Sequence, residues 1–198
     1  FILIYYLTGF NTDSNRAGFF WVMTFLLEMF AISVGSMVAS FSKSAYFASL
    51  FVPFLTIILN LTCGILSPPQ SMSNTLYSKF LYNVNPIRFT ISPLIANELY
   101  DLKVQCAPKE FFHFNPPSQQ TCAQWAGRYI AAAGGYLANP NATTDCMYCT
   151  YADGQQYYAP FGITWGERGR DAGILIAFVA FNCFATILFT KIFHFSNR

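Results

Sequence analysis

Charged side chains are scarce in this sequence. Lys, Arg, Asp and Glu together make up 10% of the 198 residues, whereas a soluble domain usually carries about 25%. Hydrophobic residues account for 54% and aromatic residues for 19%, which is typical of membrane-facing surfaces and interfacial belts. The net charge of +2 is too small to favour nucleic acid as a partner. The composition therefore predicts an integral membrane protein whose surface contacts membrane lipid.

Catalytic and metal-binding patterns are missing as well. His113 and His194 have no partners at a spacing typical of a metal site or a catalytic pair. The apolar runs contain no paired acids and no Ser/His set, and the chain has no G-x-x-x-x-G-K-[ST] phosphate loop. We therefore predict no enzyme activity, no metal and no cofactor within these residues.

The start of the chain has no initiator Met and no signal peptide pattern. It opens on the apolar stretch FILIYYL, without the basic region or the cleavage site of a signal peptide. We expect residues 1–7 to be the end of a spanning helix that begins upstream. The sequence is thus expected to be a fragment of a larger protein.

Three apolar runs are long enough to cross a bilayer, at residues 19–41, 45–66 and 172–191. At about 1.5 Å of rise per residue, the run 45–66 gives roughly 33 Å of helix, against a hydrocarbon core about 30 Å thick. The predicted fold class is all-α integral membrane, with the end of one span followed by three full transmembrane helices.

The run 45–66 contains Pro53 near its middle and the polar residues Thr56, Asn60 and Thr62 at unusual depth. An unpartnered polar group facing lipid is costly, so these side chains are expected to face other helices or a cavity. One interpretation makes this helix the wall of a cavity. The alternative is that its polar residues only hold helices together.

Glu28 is the only acid within a predicted span. In its charged form near the middle of the bilayer it costs about 2.5–3.5 kcal/mol on insertion scales. It could hold a cationic substrate or serve a polar relay. It could equally be protonated or hydrogen-bonded to a neighbouring helix, which would give it a structural role.

The long region 67–171 has no spanning segment but contains Cys106, Cys122, Cys146 and Cys149. An even set of cysteines in a loop outside the cytosol predicts two disulfides, and four cysteines allow three pairings. A zinc site built on Cys146-x-x-Cys149 is the alternative. Asn141-Ala142-Thr143 in the same region is an N-glycosylation acceptor sequence.

Basic residues predict the orientation. Lys43, Lys191 and Arg198 fall on one side if residues 45–66 and 172–191 both cross, and the positive-inside rule makes that side cytoplasmic. The long region is then extracellular. Just before it, residues 71–84 and 87–98 form two amphipathic patterns broken at Asn85-Pro86, which predict a re-entrant helix pair at the outer interface. A surface helical hairpin is the alternative.

Several short motifs occur in a fixed order along the chain. They are Gly64-Ile65-Leu66, Pro68-Pro69, Tyr82, Asn85-Pro86, Arg88-Phe89, Asn97-Glu98, the paired cysteines and residues 167–174. Together with the order of the apolar runs, they resemble one family, the fungal pleiotropic drug resistance ABC transporters of the G subfamily. The similar part is the C-terminal end of their second transmembrane domain, here from the end of its third helix to its sixth. One departure is Gly169, which stands where the family often has the Trp of an Arg-Trp-Arg motif.

The resemblance implies a function, namely the transmembrane part of an ATP-driven exporter of hydrophobic drugs in the plasma membrane. ATP and Mg²⁺ would bind to nucleotide-binding domains elsewhere in the same chain. A first transmembrane domain of that chain would be a further partner. Pro53, Ile57 and Asn60 match cavity-facing positions, Ile65 and Leu66 match an apolar plug, and the cysteines match a nested pairing, Cys106–Cys149 around Cys122–Cys146.

The parts divide into three predicted domains: residues 1–98 as transmembrane domain, 99–171 as the extracellular loop, and 172–198 as the last transmembrane helix with a cytoplasmic tail. The alternative function is a four-span membrane scaffold or receptor with a disulfide-rich outer loop. An upstream nucleotide-binding domain would distinguish the two, because only the transporter needs one.

Overall fold

A computed structural model describes residues 1–65, 69, 76–117 and 119–193. The chain forms two compact units. The helical unit comprises Phe1–Glu98 and the residues from Phe161 onward, and the disulfide unit comprises Leu99–Pro160. We predicted domain boundaries at 98/99 and 171/172, whereas these units divide at 98/99 and 160/161.

The helical unit contains six α-helices in its described residues. A 3-10 turn, Trp165–Glu167, leads directly into the last of them. The helices are α1 (Ile2–Leu7), α2 (Ser14–Phe41), α3 (Ala45–Leu61), α4 (Leu76–Val84), α5 (Arg88–Leu99) and, after the disulfide unit, α8 (Arg168–Ile192).

Two helices in the described part of the chain are long and apolar enough to cross a membrane, Ser14–Phe41 and Trp165–Ile192. These helices begin before the predicted spans, which start at residues 19 and 172. The Asp13 side chain accepts a hydrogen bond from the Asn15 N–H, and this cap lets α2 begin in a polar stretch. The predicted third span was too long, because α3 ends at Leu61.

The helices α2 and α8 run in the same direction and pack along each other. Their first turns meet where the Arg168 guanidinium lies 5.1 Å from the Phe19 ring centre, and their last turns meet where the Phe41 and Phe189 rings lie 5.7 Å apart. Between these points lies a core of Met23, Phe30 and Leu175. A buried hydrogen bond from Asn182 Nδ2 to Ser33 Oγ, 3.1 Å long, adds a polar contact at mid-length.

The disulfide unit contains a small sheet that the all-α prediction did not include. Strands β1 (Phe112–Phe114), β2 (Tyr136–Leu137) and β3 (Cys146–Cys149) pair antiparallel in the order β1-β3-β2. Helix α6 (Cys122–Ala133) begins at a capping box between Thr121 and Gln124. Helix α7 (Gly154–Tyr158) and a 3-10 turn, Ala159–Phe161, follow β3 and lead back to the helical unit.

Two disulfides join Cys106 to Cys149 and Cys122 to Cys146. This is the nested arrangement implied by the family resemblance. Cys146 and Cys149 each bond a distant partner, so the Cys146-x-x-Cys149 pair is not available for the alternative zinc site. Strand β3 is thereby tied to helix α6 at one end and to the segment before β1 at the other.

Candidate functional site: the α3 face and the Asn85 clamp

Helix α3 presents the predicted pathway residues on one face. Pro53, Ile57 and Asn60 follow the i, i+4, i+7 spacing of a single helical stripe, and all three are exposed within this chain. Ile57 keeps 59% of its surface exposed, and no residue of α3 is fully buried. The stripe therefore faces away from the helices of this unit that the structure describes.

The polar side chains of α3 bond to its own backbone. Thr56 Oγ1 donates to the Val52 carbonyl at 2.9 Å, and Asn60 Nδ2 donates to the Thr56 carbonyl at 2.8 Å. Such back-bonding lowers the cost of placing a hydroxyl or an amide in apolar surroundings. Within the described residues neither Thr56 nor Asn60 bonds another helix, whereas Thr62 accepts a hydrogen bond from Asn85, which lies between α4 and α5. The alternative that polar residues of this run hold helices together is therefore supported at Thr62 only.

The C-terminal end of α3 is held by Gly64, Tyr82 and Asn85, which we call the Asn85 clamp. Asn85 is 2% exposed, and its Nδ2 donates to the Leu59 carbonyl at 2.7 Å and to Thr62 Oγ1 at 2.9 Å. The last carbonyls of a helix have no intrahelical partner. Asn85 supplies one, which explains why α3 ends before the predicted residue 66.

Gly64 is required by the clamp. Its φ is +91°, in the region that favours glycine, and a Cβ there would lie 2.3 Å from Tyr82 Cε2. The Tyr82 ring also contacts Arg88, whose guanidinium lies over the ring, 4.0 Å from its centre. Ile65 follows at 43% exposure, whereas Leu66, the second predicted plug residue, lies outside the described residues.

A second polar cluster, the Asn97 node, joins four helices of the unit. Asn97 is fully buried; its Nδ2 donates to the Arg16 carbonyl at 2.9 Å and to Glu98 Oε1 at 2.8 Å, and its Oδ1 accepts from Arg168 Nη1 at 2.9 Å. Tyr5 donates to Glu98 at 3.2 Å. The sequence offered Asn97-Glu98 as a family motif, but no spacing pattern indicated its partners on α1, α2 and α8.

Glu28 lies on α2, whereas the other predicted pathway residues described so far lie on or just after α3. It is exposed on α2, at helical spacing from the exposed side chains of Trp21, Phe25 and Ile32. In the part of the chain that the structure describes, no hydrogen bond or ion pair engages its carboxylate. Glu28 thus belongs to an exposed face of α2, and Pro53, Ile57 and Asn60 belong to an exposed face of α3.

Asn141 lies in a turn of the disulfide unit. Its side chain is exposed, and the turn is closed by a hydrogen bond from the Ala142 N–H to the Asn139 carbonyl at 3.1 Å. An exposed turn is accessible to a modifying enzyme, so glycosylation of Asn141 stays a prediction that this geometry permits.

The length and composition of two long apolar helices indicate a membrane domain, and comparison with known families makes the class specific. The sequence profile of the ABC-2 type transporter family matches residues 1–99, half of the chain. The chain therefore belongs to the ABC-2 type transporter family. This membership argues against a four-span scaffold or receptor.

Curated relatives come mainly from fungi. The chain is 37% identical over 183 residues to the ABC multidrug transporter atrF of Aspergillus fumigatus, covering 91% of this chain and 12% of that protein. It is 34% identical over 199 residues to the ABC multidrug transporter I of the same species, covering 100% and 13%. The ATP-dependent permease PDR12 of Saccharomyces cerevisiae is 31% identical over 189 residues, covering 95% and 12%. The chain thus spans about an eighth of their length.

Proposed function

We propose that this chain forms part of the translocation pathway of an ATP-driven exporter of hydrophobic drugs. The observation that carries the proposal is the exposed stripe of Pro53, Ile57 and Asn60 on α3, which combines apolar surface with an amide. Relatives named multidrug transporters and an ATP-dependent permease support it. Nucleotide-binding domains elsewhere in the protein would bind ATP and Mg²⁺, and a first transmembrane domain would face the stripe across the cavity.

The proposed orientation places the C-terminal ends of α2 and α8 in the cytoplasm. Lys43 follows α2 and Lys191 lies in the last turn of α8, and the contact between Phe41 and Phe189 supports their location at the same end. By connectivity the disulfide unit, which precedes α8, is then extracellular, as disulfides and a glycosylated Asn141 require. We place the protein in the plasma membrane, with α4 and α5 as the re-entrant pair.

The proposed mechanism is alternating access. Closure of the nucleotide-binding domains on ATP would narrow the cavity beside the α3 stripe and drive an apolar drug past Ile65 and Leu66. Asn85 donates to the Leu59 carbonyl, and the Tyr82 ring packs against Gly64. The Asn85 clamp thus fixes the end of α3 next to this plug. The substrate then meets the polar groups of the stripe before the apolar plug.

Replacing Ile57 or Asn60 with alanine is expected to change the substrate profile. Loss of a few methylenes in an apolar pocket changes discrimination between substrates by about tenfold or more, so Ile57→Ala should change the ratio of efflux rates for large and small drugs by at least threefold. The measurement is drug efflux and drug-stimulated ATPase activity of the full-length transporter in membranes, at matched expression.

Ile58→Ala is the matched control, because Ile58 is the same residue type on a different, half-buried side of α3, turned by about 100° from Ile57. It should leave the substrate profile unchanged. An unchanged profile in both Ile57→Ala and Asn60→Ala, with expression intact, would make α3 a scaffold and remove the stripe from the pathway.

Glu28→Gln is expected to reduce export of cationic drugs about tenfold, while neutral drugs of similar shape are exported at the wild-type rate. The reason is that a carboxylate at low dielectric attracts a cation strongly. Efflux of paired cationic and neutral substrates measures the effect, with Glu28→Asp as the charge-conserving control. Equal losses for both classes of substrate would assign Glu28 a structural role.

A further inference from the structure

The disulfide unit contains a pocket between helix α6 and the sheet that the proposed pathway does not use. Its volume is about 650 Å³, within the range of roughly 300–1,000 Å³ that is usual for small-molecule sites. We call it the aromatic pocket. Its lining includes Phe112, Phe114, Trp125, Tyr129, Tyr148 and Thr150.

The sheet supplies one wall of the aromatic pocket. Phe112 pairs with Tyr148 and Phe114 pairs with Cys146 across strands β1 and β3. Directly opposite residues in an antiparallel pair have side chains on the same face, and alternate residues along a strand share that face. Phe112, Phe114, Tyr148 and Cys146 therefore all lie on the side of the sheet that meets α6.

Helix α6 supplies the other wall, and a disulfide sets the spacing between the walls. Trp125 and Tyr129 follow Cys122 at i+3 and i+7, so the three side chains share one face of the helix. Cys122 is bonded to Cys146 of β3, and both cysteines are fully buried. A covalent link thus fixes the distance between α6 and β3 at one end of the pocket, which reduces the ordering cost of binding.

Three of the aromatic side chains that line the pocket are exposed instead of packed into the core of the unit. Within this chain Phe112 is 64% exposed, Trp125 52% and Tyr129 61%. By contrast, Tyr148 is buried and donates from its hydroxyl to the Gly134 carbonyl at 2.9 Å. Clustered exposed aromatics of this kind mark binding sites more often than plain surface.

The lining selects ligands by charge. It contains ring faces and hydroxyl groups but no acidic or basic side chain. Burial, reinforced by the neighbouring Tyr129, raises the pKa of the Tyr148 hydroxyl, so this group stays neutral. An anion entering the pocket would lose its hydration without finding a cationic partner, whereas a cation is attracted by the negative faces of the rings.

We propose that the aromatic pocket binds a lipophilic organic cation, which stacks between the α6 wall at Trp125 and Tyr129 and the strand wall at Phe112 and Phe114. The site is separate from the α3 stripe and does not depend on nucleotide binding. Its test therefore leaves the proposed transport function open whichever way it turns out.

Photoaffinity labelling of the full-length transporter in detergent, without nucleotide, tests the proposal. The probe is an arylphosphonium cation carrying a photoreactive group, and the labelled peptides are mapped by mass spectrometry. Tetraphenylphosphonium and tetraphenylborate serve as competitors, because they have the same shape and opposite charge. We expect labelling of peptides that contain residues 112–114 or 125–129, displaced by the phosphonium and not by the borate.

Trp125→Ala should reduce this labelling about tenfold, which corresponds to the loss of one aromatic face for stacking and cation binding. Trp125→Phe keeps a ring and should keep most of the labelling, which shows that the unit is folded. Tyr157→Ala is the matched control, since Tyr157 is an exposed aromatic of the same unit outside the pocket lining, and it should label like the wild type.

Three results would overturn the proposal. One is equal labelling of Trp125→Ala and Tyr157→Ala. Another is equal displacement by tetraphenylborate, which would remove the selection for cations. The third is labelling confined to the transmembrane helices, which would mean that another segment of the transporter or a protein partner covers the pocket.

Discussion

Asn97→Ala is expected to destabilise the contact between α5, α2 and α8 by about 3 kcal/mol. The change removes the donor to the Arg16 carbonyl and the acceptor of Arg168 Nη1 from a fully buried position. Leaving buried groups without a partner costs about 1–3 kcal/mol each, and more where one is charged. By the usual factor of ten per 1.4 kcal/mol, amide hydrogen exchange in α5 and the first turns of α8 should accelerate roughly 100-fold.

Asn83→Ala is the matched control for this experiment. Asn83 is the same residue type in the preceding helix, but it is exposed and accepts a hydrogen bond from Arg88 Nη1 at 2.9 Å. Exposed substitutions usually change stability by less than about 0.5 kcal/mol, so exchange in α5 should stay near the wild-type rate. Similar exchange rates in the two variants would show that the Asn97 node does not hold the helices together.

The two polar clusters join the α4–α5 segment to other helices of the unit. At its turn, Asn85 binds the end of α3. At its far end, Asn97 binds the carbonyl of Arg16 on α2 and the side chain of Arg168 on α8. The segment formed by α4 and α5 therefore connects the end of α3 to α2 and α8 through side-chain hydrogen bonds.

The existence of the helices was predictable from the sequence, whereas their ends were not. Apolar runs of sufficient length indicated α2 and α8, because a bilayer demands such runs. The start of α2 at Ser14 depends on a cap by Asp13, and the end of α3 at Leu61 depends on Asn85. Both are side-chain contacts that hydropathy does not register.

The small sheet and the aromatic pocket could not be predicted from the sequence, for a related reason. Strands β1, β2 and β3 have only two to four residues each, too few for an alternating pattern to stand out. The pocket lining comes from three separate segments, around residues 112–114, 125–129 and 148–150, that the sequence order does not bring together. The nested cysteine pairing was available only through the family resemblance, since spacing left three pairings open.

The double variant Cys106→Ser/Cys149→Ser is expected to destabilise the disulfide unit by about 4 kcal/mol in the chain-entropy model, because the bond joins residues 43 apart in sequence. Amide exchange within the unit should then accelerate roughly 1,000-fold. The measurement is hydrogen exchange on the intact transporter, together with protease cleavage in residues 99–160. Cys183→Ala, which removes an unpaired exposed thiol of α8, is the control and should leave the disulfide unit unchanged.

The inner bond Cys122–Cys146 joins residues 24 apart, so its removal should cost somewhat less, roughly 3 kcal/mol. Its local effect should be larger, because it fixes α6 against the strand wall of the aromatic pocket. Cys122→Ser/Cys146→Ser should thus lose arylphosphonium labelling even at temperatures where β1 and β3 still exchange slowly. The contrary result is that both double variants accelerate exchange equally in every element and lose labelling together. The unit would then unfold as one cooperative body, and the inner bond would have no separate effect on the pocket walls.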